Sequence, residues 1–124
     1  MSYDLVFWRD PRTERPDPAG IFHAILDGRP VPELDQLPVE ATVRALAQRF
    51  SGIQPSPAHE PGYAVWEGPD MQAVIEFSWS SQHLMATARG DVTNEQMNSI
   101  IDICVQVAGA RLYDPQVNER FDNQ

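Results

Sequence analysis

The chain contains no lysine at all, and its 9 basic residues are all arginine. That absence excludes Schiff-base catalysis, a pyridoxal-phosphate lysine and the lysine that a Walker A loop extends to the β- and γ-phosphates. A single cysteine, Cys104, rules out an internal disulfide and any multi-cysteine zinc site, and it suits a reducing compartment. No apolar run approaches the roughly 20 residues needed to span a bilayer. The opening Met1-Ser2-Tyr3-Asp4 also lacks the basic start and apolar stretch of a secretion signal. A cytoplasmic protein that neither enters a membrane nor is exported is therefore expected. Glycine-rich phosphate loops, His-Glu-x-x-His pairs and internal repeats are missing too.

What is present is enough for one core. A chain of 124 residues, 42% of them hydrophobic, with three Trp, three Tyr and five Phe, lies far from the composition of disordered proteins. At this length about two-thirds of the unfolded chain's surface becomes buried, so a single domain over residues 1–124, folding without a cofactor, is expected. Against 18 acidic residues the 9 arginines leave a net charge of −9. Nucleic acid is thereby disfavoured, since binding it depends on cations that displace condensed counterions; a basic protein partner is the natural complement.

Along the chain, Tyr3-Asp4-Leu5-Val6-Phe7-Trp8 reads as a strand ended by Arg9-Asp10-Pro11. Asp17-Pro18 supplies a cap and first residue, and Gly28 a stop, for a short helix offering Ile21, Phe22, Ile25 and Leu26 to the core. A second helix begins near Pro38 and closes at Ser51-Gly52, with Val39, Val43, Leu46, Ala47 and Phe50 on one stripe. A proline-rich connector over 53–62 leads to three strands at about 63–67, 71–79 and 83–89, which form a meander. In the middle strand Ala73, Ile75, Phe77 and Trp79 point one way and Gln72, Val74, Glu76 and Ser78 the other, placing Phe77 opposite or nearly opposite Leu84.

Thr93-Asn94-Glu95-Gln96 is a capping box, followed at helical spacing by Met97, Ile100, Ile101, Cys104, Val105 and Ala108, with Ile103 and Val107 widening the arc and Gly109 as the stop. Arg111-Leu112-Tyr113 is a last strand, reached by a right-handed crossover. The order βααβββαβ predicts an α+β fold: a mixed, mostly antiparallel sheet of about five strands with three helices.

Candidate chemistry is sparse. His23 and Asp27 share a helix face, but two ligands do not make a metal site, and His59 lies in the proline-rich connector. His83 follows the turn Ser80-Ser81-Gln82 and shares a strand face with Met85, Thr87 and Arg89, across from Glu76. A histidine oriented by a carboxylate is the core of an acid–base arrangement, so a small hydrolase or transferase using His83 and Glu76 is one expectation. No Gly-x-Ser-x-Gly elbow accompanies it, and Ser80 and Ser81 are ordinary turn residues. Cys104, in mid-stripe, reads as core.

The other expectation is an interaction surface. Between Arg49 and Arg89 there is no base, while Glu60, Glu67, Asp70 and Glu76 all fall there. The meander should thus present an acidic docking face of Glu67, Asp70 and Glu76 with Arg89 beside them, Trp66 and Met85 as apolar anchors, and Val74 or Trp8 on an open sheet surface.

The opening Tyr3-Asp4-Leu5-Val6-Phe7-Trp8 and the closing Leu112-Tyr113-Asp114-Pro115-Gln116 with Phe121, together with the length, the acidity and the capped helix Thr93 to Ala108, resemble small bacterial immunity proteins of contact-dependent growth inhibition and related polymorphic toxin systems. The resemblance implies a protein that neutralises a toxin domain, commonly a basic nuclease, by forming a stoichiometric complex. It carries over no individual residue, because such proteins meet their toxins through variable surfaces.

Overall fold

The computed structural model describes residues 2–9, 17–29, 31, 34–55, 62–68, 72–116 and 119–120, with the backbone alone at 54–55 and 119–120. Its element order is β1 (Ser2–Trp8), α1 (Pro18–Leu26), α2 (Val39–Arg49), β2 (Gln54–Pro55), β3 (Tyr63–Glu67), β4 (Ala73–Trp79), β5 (Leu84–Gly90), α3 (Asn94–Gln106), β6 (Arg111–Asp114) and β7 (Glu119–Arg120). The fold is α+β. Five strands of four to seven residues carry the sheet, and the two-residue strands β2 and β7 close its edges in the order β2-β3-β4-β5-β1-β6-β7.

Every described pairing is antiparallel. Because β5 and β6 are each antiparallel to β1, they run parallel to one another with β1 between them, and α3 makes the crossover. Placed centrally, β1 is covered on both sides, and Leu5, Val6, Phe7 and Trp8 are all buried. A run of consecutive apolar residues is what a strand buried on both faces requires. The meander register is Phe77 to Ala86 and Trp79 to Leu84, two residues along from Phe77 opposite Leu84, and therefore with the same side chains facing inward. Two turns depend on glycine: a Cβ at Gly62 would stand 2.0 Å from the Trp79 carbonyl oxygen, and one at Gly90 would stand 2.1 Å from that of Gln72.

One face of the sheet carries the larger core. Leu5, Phe7, Ile75, Phe77, Leu84 and Ala86 meet Leu46 and Phe50 from α2 and Ile100 and Cys104 from α3. The Thr93–Gln96 capping box starts α3, both of its hydrogen bonds being formed. The opposite face carries a smaller cluster, where Ile21, Phe22 and Ile25 of α1, with Val31 and Leu34, cover Val6, Trp8 and Tyr113. Two apolar residues expected in helix stripes face outward instead: Leu26 is 54% and Val107 40% exposed, each at the last turn of its helix where the stripe rotates off the sheet.

Between α1 and α2 the chain crosses from one face to the other around the end of the sheet. Gln82, at the tip of the β4–β5 hairpin, secures it: its amide donates to the carbonyls of Val31 and Leu34 and accepts from the Val31 amide, while Leu37 N–H donates to the Ser81 carbonyl at 2.7 Å. At the far end of β1, Pro115 ends β6, and the side-chain amide of Gln116 takes the place of a strand, accepting from the Asp4 N–H at 2.8 Å and donating to its carbonyl at 3.0 Å. Asp114, only 6% exposed, accepts from the Tyr3 hydroxyl and from both the backbone and side-chain nitrogens of Gln116. The hydrogen bond to Asp114, followed by burial, holds the Tyr3 hydroxyl pKa above its ordinary value.

Candidate functional site

Alternation along β3, β4 and β5 sorts the expected docking residues. Glu67, Val65 and Tyr63 of β3, Val74, Glu76 and Ser78 of β4 and Met85, Thr87 and Arg89 of β5 share one face, the one on which α1 covers only the β1 side. Over the β3–β4 half of this face no described helix packs. The Glu76 carboxylate, with 27% of its side chain exposed, accepts from the Tyr63 hydroxyl at 3.0 Å and pairs with Arg89 at 3.1 Å. Thr87, opposite Glu76 in the ladder, donates to Asp4 on the next strand at 2.8 Å. Two carboxylates are thus held by neighbouring hydroxyls, two strands and roughly 10 Å apart. Burial, then the hydrogen bond to Glu76, raises the Tyr63 pKa.

Glu67, Glu76 and Arg89 are therefore brought together, and Asp70 lies outside the described residues. Met85 shares their face but is half-buried against the α1 cluster. The aromatic anchors fall elsewhere, which corrects the expectation for them. Trp66 pairs with Ile75, which puts it on the opposite face; there it is buried and its ring sits edge-on to Phe50 at 5.4 Å. Trp8 is fully buried beneath α1, 5.3 Å from the Tyr113 ring.

His83 and Glu76 do not meet. His83 precedes β5, four residues from Thr87, the ladder partner of Glu76, which separates the two by roughly 13 Å along the strand. Its Nδ1 is hydrogen-bonded to the Ser80 hydroxyl at 2.7 Å, and the same hydroxyl oxygen accepts from the Gln82 N–H at 3.1 Å. Burial pushes the His83 pKa down to about 4. Such an imidazole is a weak base at neutral pH, and among the described residues no carboxylate is bonded to it. It lines a cleft of about 240 Å³ with Ile25, Arg29, Val31 and Leu34.

Cys104 is buried, and burial raises its thiol pKa. Asp27 pairs with the exposed Arg29 at 3.2 Å. Among the described residues no three His, Cys, Asp or Glu side chains converge as a metal site would require, and no helix is long and apolar enough to cross a membrane.

A groove that sequence reasoning missed opens on the other side of β3, between α2 and the strands. Val39, Val43 and Ala47 form one wall, with Ile53, Ala64 and Trp79 opposite, around about 540 Å³. The signal was present in the five-residue α2 stripe, which is wider than one sheet contact can bury: Leu46 and Phe50 enter the core and the other three border the groove. No protein-family model matches the chain, and no curated protein matches it in sequence.

Proposed function

We propose that this protein binds and neutralises a basic protein, a toxin domain of the kind opposed by the immunity proteins its sequence resembles, and that it does so in the cytoplasm. The observation that carries the reading is the Glu76 carboxylate, held in place by Tyr63 and only partly covered, on a sheet surface that also presents Glu67 and Asp4 and on which Arg89 is the one described cation of β3, β4 and β5. Fixed carboxylates on a surface of net negative charge attract a cationic partner at long range and orient it at contact. The exposed Arg89 is a replaceable counter-charge for Glu76. A cation from the partner can take its place.

The test uses a toxic domain encoded beside this protein's gene. With Glu67, Asp70 and Glu76 all changed to Arg, association should slow by at least about tenfold, and the wild-type rate should fall steeply as salt shortens the screening length to about 8 Å. Circular dichroism should remain that of the parent. An unchanged association rate and salt dependence in the triple variant, with binding abolished instead by Asp27→Arg or Asp35→Arg, would place the contact near α1 and overturn the assignment of the face.

A further inference from the structure

The groove behind β3 remains without a role in that reading. Its walls are apolar, yet no described segment fills it, and Val39, Val43, Ile53 and Trp79 are left half-buried around it. The volume of about 540 Å³ falls within the usual range for binding pockets, roughly 300–1,000 Å³. Two exposed charges stand on its α2 rim, Glu40 and Arg44. Their spacing, acid first and four residues apart, is the one at which a helix commonly pairs them, but among the described residues neither forms an ion pair or a side-chain hydrogen bond. Among the described residues Glu40 is thus a carboxylate without a partner, at the mouth of an apolar slot.

We propose that this groove seats a bulky apolar side chain carried on a cationic segment of the partner protein, with Glu40 receiving a flanking base. The proposal rests on the partner-binding reading above and extends it to a second contact. Charge decides the occupant. A second copy of this chain would bring another net charge of −9 against the first, whereas a basic segment is attracted by the molecule as a whole, with Glu40 on the rim to receive a base and Arg44 one turn away. A small molecule would need several convergent polar groups to orient it, and among the described residues the lining offers only the two rim charges. The position fits as well. Ala64 of β3 faces the groove while Val65 and Glu67 face the acidic surface, and among the described residues only the two-residue β2 flanks β3 on its outer side. A partner that wraps this edge touches both surfaces at once, and a buried apolar anchor is where binding energy concentrates in such interfaces.

The probe is a capped pentapeptide, Gly-Arg-Phe-Arg-Gly, titrated into the isotopically labelled full chain and followed by amide and indole chemical shifts. Shifts are expected at Val43, Ala47, Ile53, Ala64 and the Trp79 indole. They should be absent with a Gly-Arg-Gly-Arg-Gly control and at least about tenfold weaker in Ala47→Gln, which fills the groove with a residue that still favours helix. Glu40→Gln should weaken binding less than Ala47→Gln. Three results would overturn the groove: shifts confined to Glu67, Glu76 and Thr87, which would leave the acidic-face reading standing; equal binding of Gly-Glu-Phe-Glu-Gly; or concentration-dependent shifts at the groove without peptide, which would make a second copy the occupant. No shift anywhere at millimolar peptide overturns it too, and the association-rate experiment above then decides the partner reading separately.

Discussion

The two faces of the sheet do different work. On the α2–α3 face the side chains of β1, β3, β4 and β5 are nearly all apolar and buried, and two helices lie across them. On the other face only the β1 and β6 region and Met85 lie beneath α1, and the strands beyond carry hydrogen-bonded polar side chains: Tyr63 to Glu76, Arg89 to Glu76, Thr87 to Asp4. Stability is concentrated where apolar area is buried, and the second surface is left to vary in charge with little effect on the fold. A protein that must match a particular partner is well served by this division.

Substitutions of graded expected effect can break the comparison or sharpen it. Phe77→Ala, on the helix-covered face at 0% exposure, should cost about 3–5 kcal/mol of unfolding free energy in a urea titration. A loss below 1 kcal/mol would remove the premise that this face carries the fold.

At the end of the sheet, His83 makes stability depend on pH. Its folded pKa of about 4 lies below the ordinary 6.5, so between those values the unfolded chain binds the proton that the folded one refuses. Stability from this residue is therefore complete above pH 6.5 and lost as pH falls toward 4, by at most about 3 kcal/mol. His83→Gln should flatten that part of the stability–pH curve, as measured by denaturation at pH 7, 5.5 and 4.5.

The clamp joining β1 to the end of β6 comes next. Asp114→Ala leaves the Tyr3 hydroxyl and the Gln116 backbone N–H without their acceptor and should destabilise by about 1–3 kcal/mol, with faster amide exchange at Asp4 as its local signature. The smallest effect belongs to the partly uncovered face. Arg89→Ala removes a solvent-exposed ion pair and should change stability by about 0–1 kcal/mol, against a measurable change in partner association. A larger destabilisation would mean that the two faces are not energetically distinct.

Much of the architecture could be read from local patterns. The capping box at Thr93, the Asp17-Pro18 start and the alternation of β4 each depend on neighbouring residues, and all three appear in the structure. Strands β2 and β7 could not be read, because two residues carry no periodicity and form only where a longer strand offers an edge. The candidate site was half legible. Glu67, Glu76 and Arg89 lie at matching parity in their strands and do share a surface. Trp66 fails because it is the immediate neighbour of Glu67, and alternation along β3 sends the two side chains to opposite faces. Trp8 fails because α1 folds back over it, a long-range contact that no short window encodes.

The central position of β1 has a consequence for the life of the chain before it is folded. Leu5, Val6, Phe7 and Trp8 are synthesised well before their sheet neighbours, since β5 and β6 begin only at Leu84 and Arg111. At ordinary translation speeds the wait for β5 alone is roughly 4–15 s, during which an apolar, β-prone tetrapeptide has no native place to go. The sheet closes by capturing an early strand between two later ones, so β1 cannot take its place until β5 and β6 have been made. Until then this segment is the natural substrate of a chaperone that holds extended apolar chain.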